Sequence, residues 1–187
     1  MSIFDNLKKG FAAAGEAFNA EIKPRETFTF PALPESVEEM KALPESALDT
    51  PFKAAALTVC AFCAYAAAPE IGKSMINFLK GPEDLASQDE AFISDRLIGK
   101  EYVPLSYFAG ALPENDYKAD EPYTITVTSN TYSFSTEGYA KLFIKSGGAD
   151  SPRPIELRRK GTQWFLWNYS SILMDIRVPK SADPWSE

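Results

Sequence analysis

Hydrophobic side chains recur with a helical spacing near the start of the chain. Between residues 3 and 22 they fall every three or four positions, which places them on one stripe of an amphipathic helix. Two glycines in this segment each weaken such a helix by about 1 kcal/mol relative to alanine, so it needs a surface to pack against. We predict an N-terminal helix and linker over residues 1–25, docked on its own domain or on a sister subunit. The stripe consists of Ile3, Phe4, Leu7, Phe11, Ala14, Phe18 and Ile22.

The helical spacing returns after residue 50. Thr50 and Pro51 form an N-cap and first-turn pair, which is typical of a helix start, and open an alanine-rich stretch. Pro69 must kink or restart that helix, and Gly81 is suited to end it. The predicted helices cover about residues 51–68, 69–80 and 88–99.

A period of two replaces the helical spacing after residue 122. Apolar and polar side chains then alternate in short segments separated by turn residues, as in half-buried antiparallel strands. Residues 163–169 are apolar on both faces, which predicts a central strand covered on both sides. Helices first and strands after indicate a single α+β domain over residues 26–187, with a helical layer packed on an antiparallel sheet of about four to five strands. Strands are predicted at residues 123–128, 139–146, 154–160, 163–169 and 172–178, and residues 26–30 form a short strand or an extended linker.

Cys60 and Cys63 have the Cys-x-x-Cys spacing of redox dithiols and of half a zinc site. The chain of 187 residues contains no other cysteine and no histidine, so it cannot supply the four ligands of a zinc site by itself. The pair lies about three turns inside a predicted helix, among apolar side chains that do not stabilise a thiolate. We interpret both cysteines as core residues and expect no metal and no cofactor.

The missing histidine also bears on catalysis. It excludes Ser-His-Asp and Cys-His catalysis and removes the commonest general base near neutral pH. The acidic pairs are adjacent in sequence, as in Glu38–Glu39, so their members point in different directions. No phosphate-binding glycine motif is present. The sequence therefore leaves open whether the protein is an enzyme but favours one that is not. It assigns no catalytic residue.

The chain is acidic, with a formal net charge of −7. We therefore expect no binding to nucleic acid, which requires clustered lysine and arginine. The N-terminus lacks the pattern of a secretory signal, and the longest apolar run, residues 54–68, is shorter than the roughly 18 residues of a membrane span. We expect a cytoplasmic protein.

Residues 141–160 differ from this acidic background, since they carry six Lys or Arg and two acids. If the apolar strand residues face the helices, the basic residues share the opposite face of the sheet with aromatic side chains. Such a face is either an ordinary solvated surface or a docking surface for an acidic or amphipathic partner. Strand parity leaves open which of two tryptophans joins it. The predicted partner-binding residues are Lys141, Phe143, Lys145, Arg158, Lys160, Trp164 or Trp167 on the sheet, and Phe4, Phe11 and Phe18 in the N-terminal helix.

The function that best fits these features is a non-catalytic, intracellular protein–protein interaction module. It would use the sheet face and the N-terminal helix to bind another protein or a second copy of itself. The alternative is a small-ligand-binding or enzymatic domain with a cleft between helices and sheet, closed by a loop that carries Tyr102, Tyr107 and Tyr117. Peripheral membrane contact through the N-terminal helix is a weaker interpretation, because the charges of that segment nearly cancel.

Three stretches, which begin ETFTFPALPES, PFKAAALTVCAFC and YAKLFIKSGGAD, resemble an uncharacterised family of Firmicutes proteins. The resemblance covers about residues 26–185. It implies a bacterial protein with one coherent domain. It implies no catalytic residue, because no activity is assigned to the family.

Overall fold

The computed structural model describes residues 24–186. The predicted N-terminal helix, with Phe4, Phe11 and Phe18, lies outside the described residues. The helices are α1 (Val37–Ala42), α2 (Pro51–Ala67), α3 (Pro69–Lys80), α4 (Ser87–Leu97) and α5 (Tyr102–Leu105). The strands are β1 (Arg25–Phe30), β2 (Tyr123–Thr128), β3 (Tyr139–Ile144), β4 (Arg153–Lys160) and β5 (Gln163–Asn168). No helix in this part of the chain is both long and apolar enough to cross a membrane.

The strands form one antiparallel sheet in the order β1-β2-β3-β4-β5. β1 lies at an edge and pairs with β2 along its whole length. β2 and β3 pair only over a short stretch, where Thr128 lies opposite Phe143. Beyond that stretch the Ala109 N–H donates to the Thr124 carbonyl at 2.8 Å, so a connecting segment bonds to β2 there. The arrangement confirms the predicted α+β class and its antiparallel sheet.

Helix α2 is the central element of the helical layer. It begins where the Thr50 hydroxyl accepts a hydrogen bond from the Lys53 N–H at 3.3 Å, with Pro51 in the first turn. Pro69 starts α3, and Gly81 ends it with a φ of +76°, a conformation that favours glycine. α2 contacts α3 on one side and the sheet on the other. The predicted positions of both helices are confirmed.

Apolar side chains on the inner face of the sheet fill the space below α2. Those of β2, β3 and β4 are at most 1% exposed, as the alternation along the strands predicts. Leu57 and Phe62 of α2 and Met75 of α3 belong to the same buried cluster. The boundary between the helical layer and the sheet is therefore a filled core. The inward-facing strand residues are Ile125, Val127, Ala140, Leu142, Ile144, Ile155 and Leu157.

Strand β5 is the second edge strand, so the predicted central position of residues 163–169 is wrong. One of its outer apolar side chains, Phe165, is covered by the turn that follows α3. Gly81 lies so close to β5 that an added Cβ would be 2.5 Å from the Phe165 ring carbon Cδ1. The edge itself is closed at one point, because the Trp164 N–H donates to the Leu48 carbonyl at 2.8 Å. An edge strand can thus be apolar on both faces when neighbouring segments wrap around it.

Residues 172–178 form no strand, contrary to the prediction. A 3₁₀ turn, Ser170–Leu173, packs against β4, and two buried tyrosines hold the segment around it. The Tyr107 hydroxyl donates to the Ile172 carbonyl at 2.7 Å, and the Tyr117 hydroxyl donates to the Arg177 carbonyl at 2.6 Å. Burial raises the pKa of Tyr117 to about 12. Both hydroxyls are therefore engaged inside the domain.

Candidate functional site

The outer face of the sheet, turned away from α2, carries aromatic side chains around one arginine. The Arg158 guanidinium carbon lies 4.7 Å from the Trp167 ring centroid and 5.6 Å from the Tyr139 ring centroid. The two rings meet edge to face, with their centroids 5.9 Å apart. Beside them, Lys141 Nζ lies 3.6 Å from Glu156 Oε1. We name these five residues the aromatic–arginine cluster.

Strand register brings the cluster together. β3 and β4 pair so that Tyr139 lies opposite Arg158, and Lys141 lies opposite Glu156, which puts all four side chains on one face. The pairing of β4 with β5 shifts next to Glu156, and Trp167 is the extra residue on β5 at that shift. A bulge of this kind changes the direction of a side chain, and here the indole ring lies over Arg158.

The cluster is ordered by its own contacts although it is not buried. Trp167 is 45% exposed, whereas Trp164 on the same strand is 6% exposed. Each contact of Arg158 with a ring contributes about 0.5–1 kcal/mol at such an exposed site. Because three groups contact one another on paired strands, their side chains are held in one arrangement at the surface.

Two shallow grooves adjoin Trp167. The first, of about 370 Å³, lies toward the turn after α3, and we name it the basic groove. The second, of about 330 Å³, lies toward residues 132–136 and is lined mainly by hydroxyl-bearing side chains. Tyr132, which is 77% exposed, stands at this second groove. The basic groove is lined by Lys80, Pro82, Glu83, Arg158, Arg159, Lys160, Phe165, Leu166 and Trp167.

The basic groove concentrates positive charge on an acidic protein. Its lining holds four cationic side chains and one acid, Glu83. The Lys80 side chain is 14% exposed, and its Nζ lies 3.9 Å from Asp89 Oδ2, which offsets part of its charge. Phe165 and Trp167 supply apolar surface between the charges. The groove suits a ligand that combines a negative charge with an apolar side chain.

The structure brings part of the predicted set together. Lys141, Arg158 and Trp167 belong to the cluster, and Lys160 lines the basic groove. Trp164 is only 6% exposed and lies on the core side of β5. Of the two tryptophans that parity left open, Trp167 is therefore the one on the outer face, and Trp164 cannot take part in a contact there.

Two other predicted sheet residues lie apart from the cluster. Phe143 is half-buried beside the start of β4, where it lies opposite Pro154. Lys145 follows the end of β3 and lines a separate hollow with Thr124 and Thr126 of β2. The remaining predicted contacts, in the N-terminal helix, fall outside the described residues.

Tyr139, Lys80 and Phe165 are among the site residues that the predicted set lacks. Tyr139 has the same parity as Lys141, so the alternation along β3 contains the signal for it. Lys80 and Phe165 meet only because the turn at Gly81 lies against β5. That approach is a tertiary contact, and no local pattern reports it.

The cysteines offer no second site. Cys60 is fully buried in α2, Cys63 is partly buried, and both are free thiols. Burial raises the pKa of both thiols, which disfavours the reactive thiolate. In the part of the chain that the structure describes, no group of three or more His, Cys, Asp or Glu side chains could hold a metal ion.

Residues 32–180 match the family described as Domain of unknown function (DUF6935). The chain belongs to the DUF6935 family. The match confirms the predicted resemblance to a family without an assigned activity. Comparison with curated proteins gave no match, and comparison with solved structures gave none either.

Proposed function

We propose that this protein is a non-catalytic intracellular module that binds another protein through the aromatic–arginine cluster and the grooves beside it. The observation that carries the proposal is that Trp167 is partly exposed and held in place by Arg158. Its ring is 45% exposed, while Arg158 stacks on it at 4.7 Å. Exposed aromatic surface bounded by polar and charged groups is typical of a contact surface rather than of ordinary solvated sheet.

The composition of the cluster supports this proposal. Trp, Tyr and Arg are the residue types that most often dominate the free energy of protein–protein binding. In this protein Tyr139, Arg158 and Trp167 already hold one another in place. Ordering side chains on association costs free energy, so a surface that is ordered beforehand binds more tightly for the same contacts.

The alternative, a ligand or substrate cleft between helices and sheet, has weaker support. Buried side chains fill that boundary. Tyr107 and Tyr117, which would have lined the cleft, are at most 3% exposed and donate their hydroxyls to backbone carbonyls. A ligand could reach the positions of these two tyrosines only if the elements packed around them moved apart.

Two further parts of the proposal rest on the sequence and on the thiols. The predicted N-terminal helix, with Phe4, Phe11 and Phe18, is proposed as a second contact element, because its apolar stripe needs a surface. An intracellular location is supported by the free thiols of Cys60 and Cys63, which suit a reducing compartment.

Capture of partners from the native source, with matched arginine variants, tests the proposal. Arg158→Ala removes the guanidinium from the cluster. Arg96→Ala removes one that lies over the Phe92 ring at 5.5 Å, and it serves as a control for losing a cation–ring contact elsewhere. We expect the wild type and Arg96→Ala to retain the same protein, and Arg158→Ala and Trp167→Ala to lose it.

The retained protein is then purified and its affinity measured by calorimetry. The expected result is a loss of at least about tenfold for Arg158→Ala and no change for Arg96→Ala. Equal affinity for all variants would show that the cluster is not the contact surface.

A further inference from the structure

We propose that the basic groove accepts the segment Asp183–Trp185 of a second copy of this chain. This inference rests on the proposed function, because the groove shares Arg158 and Trp167 with the aromatic–arginine cluster. It goes further by naming the occupant of the groove.

Trp185 has the properties of an anchor residue in a contact. It is 89% exposed, the highest value among the large hydrophobic side chains of the described residues. Its backbone is nevertheless ordered, because the Trp185 N–H donates to Asp183 Oδ1 at 2.9 Å. The Ser186 hydroxyl closes the same turn by donating to the Lys180 carbonyl at 2.9 Å. An exposed indole on a formed turn loses little conformational freedom when it is buried in a contact.

The segment and the groove are complementary in charge, and both offer apolar surface. Phe165 and Trp167 give the groove the apolar surface that an indole ring requires. Arg159 and Lys160 stand at its side with positive charge, and Asp183 lies two residues from Trp185. A carboxylate beside an indole is the combination that this lining selects.

Hydrogen bonds tie the chain before the segment to parts of the domain other than the basic groove. The Arg153 guanidinium donates to the Asp175 carbonyl at 2.8 Å, which ties the chain to the first residue of β4. The basic groove is lined by Arg158, Arg159 and Lys160, about 17 to 23 Å further along the strand. The Ser181 N–H is bonded to Asp116 at 3.1 Å, and the chain from Ser181 to Trp185 spans at most about 14 Å. The tie at Asp175 lies at the far end of β4 from the groove, and this placement favours a groove on another molecule.

Each copy provides one segment and one groove. Two copies that exchange segments reciprocally use both grooves and form a closed pair with two-fold symmetry. The contact is then made twice, which strengthens an association whose single contact is small.

Sedimentation equilibrium of the full chain, from about 10 to 300 μM, measures this association. We expect the wild type to form a dimer and Trp185→Ala to remain monomeric. Tyr132→Ala, which removes another highly exposed aromatic side chain outside the basic groove, should dimerise like the wild type.

A mixing experiment tests the reciprocal geometry. Trp185→Ala keeps its groove but lacks the anchor, and the double variant Arg159→Glu with Lys160→Glu keeps the anchor but has a reversed groove charge. Neither should self-associate, whereas an equimolar mixture should form a mixed dimer through one contact. Circular dichroism spectra identical to the wild type show that the variants are folded.

The results separate this inference from the proposed function. A wild-type chain that stays monomeric, or a Trp185→Ala variant that dimerises normally, overturns the inference. If the partner captured by the wild type is still lost by Arg158→Ala in that case, the proposed function stands. A different result is dimerisation that depends on Trp185 while Arg158→Ala still captures the partner. It would overturn the proposed function as a surface for other proteins and support the exchange between copies.

Discussion

Gly72 of α3 lies directly against the backbone of Tyr65 in α2. A Cβ added at Gly72 would overlap the Tyr65 Cα and backbone nitrogen, so the two helices approach this closely only because residue 72 has no side chain. The approach fixes the direction of α3. It thereby fixes the position of Gly81 at its end, against Phe165 of β5. A helix–helix contact in the core thus helps to build the basic groove on the surface.

Gly72→Ala is expected to destabilise the fold by at least about 2 kcal/mol, because the added methyl group must push two packed helices apart. Urea unfolding followed by circular dichroism measures the loss. Gly99→Ala is the comparison: Gly99 has a φ of +69° and nothing within 4 Å of an added Cβ, so it reports backbone strain without a clash. A Gly72→Ala variant no less stable than Gly99→Ala would contradict this account.

Tyr117→Phe is expected to loosen the segment after the 3₁₀ turn Ser170–Leu173 at a cost of about 1–2 kcal/mol. The substitution removes the donor to the Arg177 carbonyl and leaves that oxygen without its 2.6 Å hydrogen bond. Cleavage by trypsin after Arg177 should become faster, as should hydrogen exchange of the neighbouring amides. Tyr102→Phe, at the ring stacked 5.6 Å from Tyr117, is the control. Equal cleavage rates for both variants would rule out the proposed tether.

Much of the fold could be predicted because its signals are local. The N-cap at Thr50, the restart at Pro69 and the alternation along β3 each depend on a few neighbouring residues. The edge strand β1 could be predicted only as extended chain. Its place is set by pairs such as Thr27 with Thr126, whose hydroxyl oxygens are 2.9 Å apart and 99 positions distant in sequence.

The same difference between local and long-range contacts explains which residues of the site could be predicted. Parity along β3 and β4 predicted that Lys141 and Arg158 share the outer face, and the register confirms that placement. Parity could not choose between Trp164 and Trp167, because β5 is apolar at both parities; the pairing of Leu166 with the buried Leu157 decides which parity faces the core. The basic groove also includes Lys80, which lies at the end of α3. It comes more than 70 residues before the other cations that line the groove.

The double variant Cys60→Ala with Cys63→Ala is expected to fold and to lose only about 1–2 kcal/mol of stability, as for small cavities in a core.

In the wild type both thiols should react slowly with iodoacetamide at pH 8, because burial raises their pKa and the thiolate is the reactive form. Unfolding in urea should make both react at the rate of a free thiol. Rapid modification of either cysteine in the folded protein would show a reactive site that the core interpretation does not allow.

Trp164→Ala and Trp167→Ala should separate stability from binding. Trp164 is 6% exposed on the core side of β5, so its truncation should cost about 3–5 kcal/mol. Trp167 is 45% exposed and contacts Arg158 and Tyr139, so its truncation should cost only about 1–2 kcal/mol. Urea unfolding followed by circular dichroism compares them without relying on tryptophan fluorescence. If Trp167→Ala proves as destabilising as Trp164→Ala, the outer ring is a structural part of the sheet, and its exposure no longer argues for a partner.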